Sequence, residues 1–428
     1  MPIDSQERAA RRLATVAIMG SALVGLLGTP AASLAQDGPG TAESREAGHD
    51  VVDPEASLRH FYTRLRAAER GEQDAIARVM VYSESTNAAD RVTSALRRLL
   101  QHRFGDAGKG WVPISPGWPY QRHRDVEWSQ EGRWRTWVVN RHDGPLGRYG
   151  LGGVVATNRH QSARAYFGTS SSGPIGRSVS RYRLFYQAYP EGGDVSLRVD
   201  GAGPVTVSTR SDNVEDRVHD LRIADGAHRL ELAPAGGDLR LYGVVMERER
   251  PGVVVDGLML VGAFTRVLLH FDPDHWRRQV ELRQPDLMVF WLGGNDAISR
   301  TSGFSRQRYT RQYAEAVRRA RRGRPRASCV IMSVLDAAEE VDGAIRTRRR
   351  IPRVVRAQRD VARETRCAFF DLFGATGGEG TMRRWRRSSP RLAQGDYKHL
   401  TRAGAQEVGQ TVYRALMRGY DRHAASGR

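Results

Sequence analysis

From Asp53 the apolar positions of the chain fall on one helical face. Leu58, Phe61, Tyr62 and Leu65 recur at helical spacing, and Pro54 suits a first turn. Ala75 to Tyr82 is a nearly continuous apolar run and predicts a buried strand. Asp90 to Phe104 then sets Val92, Leu96, Leu99 and Leu100 at core spacing and predicts a helix. Strand, tight turn and helix open an α/β domain. Farther on the period changes to two, in Val195/Leu197/Val199, Val205/Val207, Leu221/Ile223, Leu230/Leu232 and Leu239/Leu241. Turn stretches such as Glu191-Gly192-Gly193-Asp194 and Gly236-Gly237-Asp238 separate these runs, which predicts an antiparallel sandwich over residues 156–249. The earlier rhythm then returns. Strands are predicted at Asp286–Leu292, Ala327–Leu335 and Cys367–Leu372, and helices at Gln307–Arg321, Ile351–Glu364 and Thr401–Met417. This alternation implies a mostly parallel sheet covered on both faces. The expected architecture is one α/β domain, over 51–155 and 250–420, split by an inserted β-sandwich domain.

Ahead of these elements, Arg8, Arg11 and Arg12 precede an apolar run from Leu13 to Leu27, and Ser33-Leu34-Ala35 offers a small-x-Ala cleavage site. Residues 1–35 therefore read as a secretory signal, with an uncleaved anchor as the alternative, and 36–50 as a flexible polar tail. No other segment reaches transmembrane length, so the expected mature protein is exported, periplasmic or extracellular. Of the 428 residues 40% are apolar and 27% charged, which suits one large or two medium domains and excludes fibrous or wholly disordered classes. The net charge of +19 is carried almost entirely by arginine scattered along the chain, Lys109 and Lys398 being the lysines. In an exported protein an anionic envelope polymer is a better-matched partner than nucleic acid. Cys329 and Cys367 are too few for a disulfide-dense scaffold or a four-cysteine zinc site, and the histidines lack paired ligand spacing, so no metal or other cofactor is expected.

Ligands of an open α/β sheet bind at the carboxyl ends of its strands, so the chemistry is sought in the turns that follow them. Ser83-Glu84-Ser85 follows the first strand, Gly293-Gly294-Asn295-Asp296 follows Asp286–Leu292, and Asp396-Tyr397-Lys398-His399 precedes the last helix. A serine needs a base to take its proton, the base needs a carboxylate to orient it, and the developing oxyanion needs donors. These pieces can supply all three.

In this order and at these strand ends, the pieces resemble the SGNH (GDSL-type) hydrolase family. The family's Gly-Asp-Ser falls on Ser83, Glu84 and Ser85, and its second-block glycine on Gly262. Its Gly-x-Asn-Asp is matched by Gly293, Gly294, Asn295 and Asp296, and its Asp-x-x-His by Asp396 and His399. The resemblance implies a flavodoxin-like parallel sheet and a serine esterase. Ser85 is then the nucleophile, His399 the general base and Asp396 its partner. The Ser85 and Gly262 backbone amides and the Asn295 side chain make the oxyanion hole. A sandwich between the first two blocks further resembles the peptidoglycan O-acetylesterases, whose insert is carbohydrate-binding-module-like. This implies removal of acyl groups, above all O-acetyl, from an envelope polysaccharide such as peptidoglycan. The departure is Ser-Glu-Ser for Gly-Asp-Ser. If the first position needs a positive φ, serine there costs about 1 kcal/mol or more. A non-catalytic glycan binder and a glycan O-acyltransferase are the competing readings.

Trp111, Trp118, Trp128, Trp134 and Trp137 cluster ahead of the expected sandwich, either filling a seam between domains or offering sugar rings a stacking surface. Arg384 and Trp385, in an arginine-rich loop before Asp396, are candidate substrate contacts. Arg346 to Arg353 reads as a solvated face. In this fold Cys329 and Cys367 lie on adjacent strands, which leaves a disulfide or two buried thiols open.

Overall fold

A computed structural model describes residues 50–427 except 142–143, 159–161 and 300–302. The expected export signal, 1–35, and all but the last residue of the expected tail lie outside the described residues. Helix α1 (Arg59–Glu69) buries Phe61, Tyr62, Leu65 and Ala68. It starts later than the apolar pattern suggests because the Asp53 carboxylate accepts from the Ser57 and Leu58 amides at 2.7 and 2.9 Å, holding a turn ahead of the helix. Strand β1 (Ile76–Ser83), a 3-10 turn (Ser85–Asp90) and α2 (Arg91–Phe104) follow. The chain then runs through β2 (Gly110–Pro113), β3 (Glu127–Glu131), β4 (Arg135–Val138), β5 (Val154–Asn158), β6 (Arg164–Gly168) and β7 (Val179–Ala188). It continues through β8 (Asp194–Val199), β9 (Val205–Ser208), β10 (Glu215–Gly226), β11 (Arg229–Gly236) and β12 (Leu239–Glu247).

After β13 (Gly252–Met259) come α3 (Pro273–Arg283), β14 (Leu287–Trp291), the short α4 (Gly294–Ile298) and α5 (Arg306–Arg322). β15 (Ser328–Met332), the hairpin β16 (Ala338–Val341) and β17 (Ala344–Thr347), α6 (Ile351–Thr365) and β18 (Ala368–Phe370) follow. The chain ends in α7 (Leu372–Ala375), α8 (Thr381–Arg387) and α9 (Arg402–Ala425).

The strands β13-β1-β14-β15-β18 pair in that order, all parallel. Alternate residues of β1 serve opposite faces: Ala77, Val79 and Val81 share a core with α1, α2 and α9, while Met80 and Tyr82 share one with α3, α5 and α6. Because β13 and β14 lie on either side of β1, the sheet has its topological switch point beside β1, where the expected nucleophile emerges. Val52 exchanges backbone hydrogen bonds with Phe369 at 2.9 and 2.8 Å and covers the β18 edge. Cys329 and Cys367 are joined as a disulfide, which settles the alternative left by the sequence. Closing a loop of 38 residues is worth about 4 kcal/mol in the chain-entropy account. No helix of the described residues is long and apolar enough to cross a membrane.

The strands between β1 and β13 form two antiparallel sheets. One is β10-β7-β12-β5-β4 with β2 on β12, the other β3-β6-β11-β8-β9. They share a core in which Leu184 and Val244 of the first meet Phe167, Leu197 and Leu232 of the second. This antiparallel region begins at Gly110, not at 156. The early strands escape detection because β2 has only four residues and β3, Glu-Trp-Ser-Gln-Glu, shows no apolar alternation. The opposite side of the first sheet packs Trp111, Phe185, Tyr242 and Val245 against Tyr82, Leu258 and Trp276 of the α/β part. Trp111 is thus a seam residue. Trp118 and Trp137 flank the same cluster, and Trp128 and Trp134 pack on the core that the two antiparallel sheets share. Arg283, fully buried, joins Asp256 of β13 (2.6 Å) to Glu247 of β12 (2.7 Å) beneath this seam.

Candidate active site

β1 delivers its last residue, Ser83, into the sheet opposite Met259 and Trp291. Ser83 has no positive φ, so the penalty feared for a serine in place of glycine does not arise. Its hydroxyl accepts from Asn87 Nδ2 at 3.0 Å, and Asn87 Oδ1 accepts the Val92 and Thr93 amides at 3.0 and 3.1 Å. One buried side chain thereby ties the strand end to the start of α2. The left-handed residues are instead Ala89 (φ 61°) and Asp90 (φ 55°). The Asp90 carboxylate holds that kink, binding Arg97 (2.9 Å), Lys109 (3.2 Å) and the Arg124 amide (3.1 Å). Burial opposes its ionisation, but the charges of Arg97 and Lys109 keep the carboxyl far below the usual range.

His399 reaches the same place from the loop before α9. Its Nε2 lies 3.1 Å from Ser85 Oγ and its Nδ1 2.5 Å from Asp396 Oδ2. Asp396 Oδ1 accepts the Lys398 and His399 backbone amides at 3.1 and 3.0 Å, which fixes the carboxylate before it meets the ring. Burial raises the Asp396 pKa, and the bonds from His399 and Lys398 outweigh it, leaving the carboxyl below its ordinary value. An ionised Asp396 requires the proton on Nδ1, so the lone pair on Nε2 faces the serine hydroxyl.

The donor side is built around Glu84. Its Oε1 accepts the Gly294 amide at 2.7 Å, and its Oε2 accepts the Asn295 amide at 3.2 Å and Asn295 Nδ2 at 2.8 Å. Gly294 leaves room for this carboxylate, because a Cβ there would lie 2.1 Å from Glu84 Oε1 and push it off the amides. The second Asn295 Nδ2 hydrogen goes to the Ala263 carbonyl at 2.9 Å, beside Gly262, whose φ of +76° suits glycine. Asp296 accepts from the Thr265 amide at 2.9 Å and closes the same turn from the other side. The three expected oxyanion donors therefore sit on one hydrogen-bonded unit, but both N–H bonds of the Asn295 amide are already engaged.

Burial drives the Glu84 carboxyl up to about 7, and nearby Asp296 adds to this against the amide donors and Lys398. Burial likewise lifts Asp296 to about 6. For Glu84, held above its ordinary 4.5, the folded state keeps a proton that the unfolded state releases. Its contribution to stability is therefore full below about pH 4.5 and lost as pH rises through about 7. The stability of the wild type relative to Glu84→Gln should fall by about 3 kcal/mol across that window, as urea unfolding at each pH would read. A pH-independent difference would contradict the assignment.

The other expected contacts lie apart from this unit. Arg384 donates to the Gly377 and Glu379 carbonyls at 2.8 and 2.9 Å, folding back on its own loop. Trp385 packs partly buried against the core shared by α1, α2 and α9. No hydrogen bond among the described residues joins either side chain to Ser85 or His399. In the stretch read as a solvated face, Arg350 donates to the Asp296 carbonyl at 3.2 Å. Two neighbours of the site escaped the sequence reading. Asn140 donates to the Val261 carbonyl at 2.7 Å and braces the Gly262 turn, and Lys398 Nζ lies 3.4 Å from Asn295 Oδ1. Lys398 stands inside the Asp-x-x-His block, a signal that was available; Asn140 has none.

Residues 235–407 match the GDSL-like Lipase/Acylhydrolase family. Among solved structures, one described as a peptidoglycan O-acetylesterase in action is similar at a TM-score of 0.73 and 21% identity, over 87% of this chain and 99% of that one. A family two carbohydrate esterase from Cellvibrio japonicus aligns at a TM-score of 0.28 and 12% identity, over 69% of this chain and 99% of that one. A mutant acetyl-xylooligosaccharide esterase from Geobacillus Stearmophilus aligns at 0.30 and 19%, over 40% and 73%. No curated protein matches the chain by sequence. Residues 235–407 thus carry the GDSL-like lipase/acylhydrolase match on a parallel sheet with the ordered sequence blocks at its strand ends, which supports an ester-hydrolysing enzyme of the SGNH type.

Proposed function

We propose that this enzyme is exported and removes O-acetyl groups from an envelope polysaccharide such as peptidoglycan, with Ser85, His399 and Asp396 as its triad. The observation that carries the chemistry is the continuous path from Ser85 Oγ through His399 to Asp396, at 3.1 and 2.5 Å. Ser85 Oγ attacks the ester carbonyl as His399 Nε2 takes its proton, and Asp396 stabilises the imidazolium. The oxyanion is met by the Ser85 and Gly262 amides and by Asn295. For Asn295 to bind it, one N–H turns from the neutral Ala263 carbonyl to the charged oxygen. That exchange is favourable because charge-assisted hydrogen bonds are roughly twice as strong. Collapse expels the sugar oxygen, protonated by His399, and leaves an acyl-serine. Water, deprotonated by the same ring, then releases acetate and restores Ser85.

The family chemistry supports an ester substrate, and the fold shared with a peptidoglycan O-acetylesterase supports an acetylated glycan. Against a non-catalytic reading stands the unstrained Ser83. Purified protein incubated with O-acetylated peptidoglycan is expected to release acetate, and His399→Ala is not. Turnover of a small acetate ester with no acetate released from the polymer would contradict the substrate assignment while leaving the mechanism in place.

A further inference from the structure

Beside the Ser85 turn a cleft of about 170 Å³ is lined by Arg91, Arg98, Arg124 and Arg402, together with Gln406 and Gln410. Among the described residues only Arg98 of these four meets a carboxylate, that of Asp125 at 2.5 Å. Arg91 Nη1 donates to the carbonyl of Leu400, the residue after His399, at 3.3 Å, and its Nε is buried without a partner among the described residues. Arg124 Nε donates to the Ala89 carbonyl, within the Ser85 turn, at 3.2 Å. The cleft is thus fastened to both segments that carry the triad. Behind it, Asp90 and Asp125 are already engaged by Arg97, and Asp90 also by Lys109. Six cations in this group therefore share two carboxylates.

The arrangement works against folding. Arg402 begins α9, whose first turn holds no acid although helix starts favour anions, and Arg91 begins α2, whose N-cap carboxylate, Asp90, is already bound by Arg97 and Lys109. Burial, then the charges of Arg91, Arg402 and Arg98, press the Arg124 pKa below its ordinary value, with Asp90 opposing them. Local rules broken together next to a reactive centre point to a ligand that repairs them. We propose that this cleft is an anion subsite, which holds a carboxylate of the polymer while an acyl group carried nearby on the same polymer reaches Ser85. The proposal rests on the polysaccharide reading and narrows it to a polymer bearing carboxylates.

Such a carboxylate can come from a sugar acid or from a peptide attached to the glycan. Calorimetric titration of the protein with trigalacturonate, trialanine and maltotriose separates these sources and includes a neutral control. At about 20 mM salt at least one of the two carboxylate ligands is expected to bind more tightly than maltotriose, and to weaken at about 300 mM. Arg124→Gln with Arg402→Gln should lower that affinity about 10-fold or more and flatten the salt dependence, while Arg311→Gln, outside the cleft, should leave it as in the wild type. A melting curve of each variant confirms that it is folded. Carboxylate ligands binding no better than maltotriose, or a folded double variant binding like the wild type, would overturn the subsite. Binding is read without hydrolysis, so a protein that binds carboxylates yet deacetylates no glycan refutes the substrate reading and keeps the subsite.

Discussion

Ser85→Ala is expected to lower hydrolysis of a small chromogenic acetate ester by about 10⁴-fold or more, with the fold intact. The size follows from the site's wiring. His399 Nε2 has Ser85 Oγ at 3.1 Å, and the ring is oriented by an Asp396 that two backbone amides hold in place. Removing the hydroxyl leaves a base with nothing to deprotonate and no acyl-serine path. The remaining donors can still polarise a carbonyl, which accounts for the small residual rate. Stability should hardly change, because Ser85 is only partly buried and its hydroxyl bonds His399 rather than the core. The measurement is kcat/KM on the ester beside a thermal melt; a variant that melts normally and retains a tenth of the rate would contradict the assignment.

Asn295→Ala is expected to lower kcat by roughly 10²–10³ with a smaller change in KM, since one oxyanion donor is typically worth that much. This side chain has a second task. It bonds Glu84 Oε2 at 2.8 Å and the Ala263 carbonyl at 2.9 Å, holding the third sequence block against the Gly262 turn. Losing it also leaves Glu84 short of one donor in a buried place, so the carboxyl should rise further above 7. The variant should therefore lose more activity near neutrality than at alkaline pH, where Glu84 is ionised regardless. Steady-state kinetics across pH test this. A uniform loss at every pH would separate the Asn295 donor from the Glu84 anchor.

Much of this site was legible because its chemistry is local. Ser85, the Gly293–Asp296 turn and the Asp396–His399 pair each sit within a few residues of a strand end or helix start that apolar periodicity marks. The disulfide was legible as an adjacency, since Cys329 and Cys367 bracket neighbouring strands, although pairing itself needed the geometry. What stayed hidden is long-range or polar. Glu84 reads as one methylene too long, yet that length lets it reach the Gly294 and Asn295 amides, 210 and 211 residues away. Helix α3 gives little periodic signal because it buries His275, Gln279 and Arg283 alongside Trp276 and Val280. The onset of the antiparallel sheets was missed because the exposed residues of β3 mask its half-buried Trp128 and Gln130. The arginine-rich loop promised a substrate contact, but Arg384 is satisfied by carbonyls of its own turn.

The central claim is that a serine presented by Ser-Glu-Ser, and not by Gly-Asp-Ser, is the nucleophile. The most direct test is to treat the protein with a serine-directed phosphonate and locate the adduct by peptide mass spectrometry. One adduct, on the peptide containing Ser85 and absent from His399→Ala, is the predicted result. An adduct on another serine, or none from a protein that still hydrolyses esters, would contradict it.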